Sequence, residues 1–141
     1  MTGMSAVPEI TDLCPLLQVY DMLEAVRFYC THLGFEIEAQ SPVIETPYRH
    51  FNWALLKRGA VQLMLNTAYE GGDRPPTREA GRIAAHADTI LYFGCPDVDG
   101  VYRQLKQAGL ALDPPVVAPY GMKQLTFSDP DGYAICLQWR V

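Results

Sequence analysis

The chain has 141 residues, 49% of them hydrophobic and 19% charged, enough for one compact domain or for two small modules that share a core. Eleven basic residues against 16 acidic ones give a formal charge of −5 with no basic block, so a nucleic-acid partner is not expected. No apolar run approaches the ~20 residues of a membrane span, and the opening "MTGMSAVPEITD" lacks the charged and apolar regions of a signal peptide, so a cytoplasmic protein is expected.

In chain order, residues 1–12 read as a flexible start. "LCPLLQVYD" reads as a strand, and "DMLEAVRFYCTHLG" as a helix with Met22, Ala25, Val26, Tyr29 and Leu33 at helical spacing. Asp21 is its candidate N-cap, with Glu24 three residues on, and Gly34 its stop. "FEIEAQ" alternates as a strand, and "YRHFNWALLKRG" with "AVQLMLNT" forms a hairpin that turns at Arg58 and Gly59. Residues 68–87, rich in Gly, Pro and charge, read as a linker with room for one short helical turn.

The order then begins again. "DTILYFGCPD" is a strand and "VDGVYRQLKQAG" a helix that stops at Gly109; part of "LALDPPVVAP", then "GMKQLTFS" and "YAICLQW", supply three more strands. Leu17-x-Val19-x-Asp21 opens the first helix, and Leu91-x-Phe93-x-Cys95-x-Asp97 opens the second. A long repeat present only twice argues for two paired modules, residues 13–67 and 88–141, rather than an array.

Period-two alternation gives each strand two faces. Pro15, Leu17 and Val19, then Val61, Leu63 and Leu65, then Leu91 and Phe93, then Ile135 and Leu137 form apolar faces expected to pack under the helices. The opposite faces carry Cys14, Leu16 and Gln18; Gln62, Met64 and Asn66; Ile90, Tyr92 and Gly94; Ala134, Cys136 and Gln138. This mixture suits a pocket for a mostly apolar molecule fixed by a few hydrogen bonds; the plainer alternative is a part-solvated sheet surface. Trp53, Tyr48 and Tyr120 are candidate stacking walls whose facing the alternation leaves open. The four cysteines, Cys14, Cys30, Cys95 and Cys136, form no C-x-x-C pair and read first as buried free thiols. His32, His50 and His86 read as surface histidines.

The pieces "LLQVYDMLEAVRFYCTHLGFEI", "AVQLMLN", "CPDVDGVYRQLKQAG" and "GMKQLTFSDPDGYAICLQ" together resemble the vicinal oxygen chelate superfamily of glyoxalases, extradiol dioxygenases and bleomycin-resistance proteins. That resemblance implies an α+β fold of two βαβββ modules forming a curved, cup-shaped mixed sheet with helices outside, commonly completed by a second chain as a homodimer. It also implies four ligand positions in metal-dependent members, which fall here on Cys14, Met64, Ile90 and Cys136. None is a His or a carboxylate, and Ile90 offers no lone pair, so no metal and no cofactor are expected.

The resulting expectation is a bleomycin-resistance-like protein that sequesters or carries a small hydrophobic or aromatic compound. Its candidate ligand-binding residues are Cys14, Gln18, Trp53, Gln62, Met64, Ile90, Tyr92 and Cys136. Four other readings stand beside it: a lyase or dioxygenase-like enzyme with a displaced metal or with Tyr92 and the glutamines polarising a substrate, a soft thiolate metal site at Cys14 and Cys136, nucleophilic thiol chemistry there, and an interaction module with a vestigial pocket.

Overall fold

A computed structural model describes residues 7–141. Of the expected flexible start, residues 1–6 lie outside the described residues, and residues 7–12 are exposed and without regular structure. The first module runs β1 (Leu16–Val19), α1 (Met22–Arg27), β2 (Glu36–Gln40), β3 (Trp53–Arg58) and β4 (Val61–Thr67). The second runs β5 (Ile90–Gly94), α3 (Val98–Gln107), β6 (Val116–Val117), β7 (Met122–Ser128) and β8 (Ala134–Arg140). Each forms one open four-stranded sheet, in the orders β1-β4-β3-β2 and β5-β8-β7-β6. In both, the first strand lies parallel to the fourth and the remaining pairs are antiparallel. This is the repeated α+β βαβββ architecture expected from the sequence.

Local chemistry starts both helices alike. The Asp21 carboxylate accepts from the Glu24 backbone N–H at 3.2 Å, and that of Asp97 from the Gly100 N–H at 3.0 Å, each satisfying a helix donor that has no partner within the helix. Past Arg27 the first helix widens into a π-turn over Phe28–His32, where the consecutive rings of Phe28 and Tyr29 are both buried.

The core lies on the helix side of the two sheets and is continuous across the modules. Leu17, Val19, Leu63, Leu65, Ile135 and Leu137 are buried as alternation predicted, and so are Leu56, Leu125 and Phe127. Aromatic pairs cross the module boundary, with ring centroids 6.3 Å apart for Phe28 and Phe127 and 6.0 Å for Phe35 and Phe93. The apolar faces are not uniformly covered, however. Val61 is 42% exposed because it sits at the β3–β4 hairpin end, and Pro15, Leu91 and Phe93 are half-buried.

Two further features depart from the sequence reading. The connection between modules holds a 3₁₀ turn at Gly71–Asp73 and a seven-residue helix, α2 (Ala80–His86), more helix than the one short turn for which the sequence reading left room. Its alanine-rich run favours helix once Pro75 and Pro76 are past, and it packs on the second module's turn. Gly132, at φ +85°, lies where a Cβ would come within 2.5 Å of the Ile83 carbonyl oxygen, so α2 can approach only a glycine there. Second, His50 is buried rather than on the surface: its Nδ1 lies 2.7 Å from the Tyr48 carbonyl oxygen and its ring packs beside Tyr48.

Candidate functional site

The sheet faces turned away from the core carry the residues that alternation assigned there. On the first sheet, Leu16 and Leu55 flank Met64 in one cross-strand row, and Gln18 and Trp53 flank Asn66 in the next. Trp53 therefore shares this face, as a half-buried ring beside two amides. Gln62 pairs with Lys57 one row further, and its amide donates to Glu38 at 3.0 Å, which draws it toward the β2 edge. Cys14 lies just before β1 and is half-buried.

On the second sheet, Ile90 faces Ala134, and Tyr92, Cys136 and Thr126 form one row. Tyr92 is 56% exposed and Ile90 47%, whereas Cys136 is buried beneath its neighbours. The next row holds two glutamines: the Gln124 amide donates to Gln138 Oε1 at 3.0 Å and to the Tyr120 hydroxyl at 2.8 Å. Gln124 was absent from the sequence-derived site, although Leu125 and Phe127 in "GMKQLTFS" already imply that Gln124 and Thr126 face the other way. Tyr120 thus borders this face. Tyr48 does not, since the Arg74 guanidinium stacks over its ring at 4.0 Å and its ring packs against buried His50. The eight candidates consequently form two sets, five on or beside the first sheet and three on the second.

Cys14, Met64, Ile90 and Cys136, where the resemblance led metal ligands to be expected, have surroundings that bear on that expectation. Met64 lies among aliphatic neighbours, Ile90 has no donor atom, and burial pushes the Cys136 thiol above its usual pKa, with a Thr126 hydrogen bond pulling the other way. Among the described residues no group of three or more His, Cys, Asp or Glu side chains is placed to hold a metal ion. The donor set does not fit an imidazole–carboxylate site for a divalent ion.

A separate cavity of about 440 Å³ lies on the helix side, where the modules meet. It is bounded by the end of the first helix, the β3–β4 hairpin, β5 and α3. Sequence reasoning did not find it, because its walls come from both modules.

A domain so built, two βαβββ units with a polar–apolar face on each sheet, belongs to a known class. The chain is a member of the Glyoxalase/Bleomycin resistance protein/Dioxygenase superfamily, whose model matches residues 10–137. Among solved structures it is similar to TnmS3, an antibiotic binding protein from Streptomyces sp. CB03234, at 25% identity and TM-score 0.64, covering 98% of this chain and 100% of that one. A glyoxalase/bleomycin resistance protein from the same organism is 28% identical at TM-score 0.58, covering 89% and 97%. A bleomycin resistance determinant encoded on the transposon Tn5 shares the fold at TM-score 0.65 and 22% identity, covering 93% and 98%. No functionally curated protein matches the chain. Among the described residues no helix is long and apolar enough to cross a membrane.

Proposed function

We propose that the protein binds a small, mostly apolar or aromatic organic molecule on the helix-free faces of its sheets, without a metal ion, and sequesters or carries it unchanged. It acts in the cytoplasm, as a homodimer that encloses these faces. The observation that carries the reading is the chemistry of those faces. Leu16, Met64, Ile90 and Tyr92 offer apolar surface, and Gln18, Asn66, Gln124 and Gln138 offer neutral hydrogen-bonding groups. Such a lining orients an uncharged ligand and contains no activated nucleophile. The antibiotic-binding role of TnmS3, at 25% identity, supports it.

The test combines native mass spectrometry of the purified protein with elemental analysis of untagged material. A co-purifying or dye-displacing aromatic compound, together with less than a tenth of a metal ion per chain, is the expected result. One tightly held Zn, Ni or Fe per chain overturns the metal-free reading.

A further inference from the structure

We propose that the junction cavity is a second small-molecule site, distinct from the helix-free faces, that takes a compact aromatic or aliphatic carboxylate. Its apolar wall is formed by Phe35, Phe93, Val61 and Leu137, and its rim by Arg58 and His32. Among the described residues no Asp or Glu lines it, although acidic residues exceed basic ones in the chain. The cavity beside Asp21 and Glu24 and the one beside Asp113 and Asp129 both contain carboxylates. The Cys95 thiol, which also lines the junction, is pushed above its usual pKa by burial and adds no negative charge.

Arg58 is exposed and not neutralised. Its guanidinium lies across Gly34, where a Cβ would come within 3.3 Å of Nε and Cζ; the missing side chain leaves this room, and the φ of +75° separately favours glycine. Among the described residues no carboxylate forms an ion pair with Arg58. A planar guanidinium left with free donors beside an apolar wall matches a carboxylate on a short hydrophobic body, because its fork can donate to both oxygens at once. The apolar body would displace water from half-buried Phe93 and exposed Val61 while the carboxylate pairs with Arg58.

Naphthoate titrated into the isotope-labelled full chain tests this, with neutral naphthamide as a control of nearly the same shape. The expected result is saturable shifts at the amides of Gly34, Phe35, Gly94 and Cys95, with naphthamide about ten-fold weaker, the loss expected for one charge-assisted hydrogen-bonded contact. Arg58→Gln, at an exposed hairpin position, should lower naphthoate to the naphthamide level with an unchanged melting temperature. Equal binding of the two probes by the wild-type chain overturns the proposal. So do shifts confined to the rows of Asn66 and Tyr92, or naphthoate binding indifferent to Arg58→Gln.

Discussion

The Tyr29 hydroxyl donates a 2.6 Å hydrogen bond to Asp129 Oδ2, joining the first module's helix to the second module's turn across 100 positions of sequence. Both groups are buried. Asp129 Oδ1 also accepts the backbone N–H groups of Asp131 and Tyr133, while Asp131 Oδ1 accepts the Tyr20 N–H at 2.8 Å and the Tyr133 hydroxyl donates no bond to the turn but lies 3.0 Å from the Gln18 N–H, which it accepts. The Asp-Pro-Asp-Gly segment is therefore a turn and also the polar clasp between modules. Burial raises the pKa of both Tyr29 and Asp129.

Tyr29→Phe keeps the ring and removes the donor, leaving a buried carboxylate oxygen without this partner. The expected loss is about 2 kcal/mol, within the range for hydrogen bonds to charged groups. Urea unfolding measures it, and a loss below about 0.5 kcal/mol would mean that the clasp contributes little.

Asp131 predicts a pH dependence. Burial lifts its carboxyl from 3.8 to about 6; Asp129 reinforces the rise, and the Tyr20 N–H, Arg78 and His86 oppose it. Its Oδ2 is buried with no hydrogen-bond partner among the described residues. Because the folded chain holds this proton more tightly than the unfolded one, the stability contributed is complete below pH 3.8 and is lost as pH rises through about 6. Relative to Asp131→Asn, the wild type should lose on the order of 2 kcal/mol between about pH 4 and pH 7. A constant difference across that range contradicts the assignment.

Neighbouring residues on β4 should respond oppositely to substitution. Leu63 is 1% exposed on the core side, so Leu63→Asp forces an unpaired carboxylate among apolar groups, at a cost of several kcal/mol. Met64 faces the other way and is half-buried, so Met64→Trp should leave the melting temperature within a few degrees while blocking ligand access. Thermal unfolding beside dye displacement separates them; a Met64→Trp protein that retains full binding would remove Met64 from the proposed site.

Dimerisation is checked by light scattering at micromolar concentration. Leu16 (43% exposed), Ile90 (47%) and Tyr92 (56%) leave apolar surface uncovered on both sheets. The expected mass is about twice 15.7 kDa. A monomer at that concentration overturns the proposed dimer.

Local patterning, alternation together with caps and turns, located the strands and the two module helices and gave the facing of Leu63 against Met64 and of Leu91 against Tyr92, because these signals are set by residues a few positions apart. The repeat of two βαβββ units was legible for the same reason. Only the tertiary structure decided what depends on distant partners. Gln124 became a site neighbour by pairing with Gln138, His50 was buried where a Cβ at Gly71 of the connection would come within 3.2 Å of its Nε2, and Tyr29 found Asp129. The junction cavity belongs with these, since Gly34, Arg58 and Phe93 share a wall only after the two modules close a common core, and no local pattern encodes that meeting.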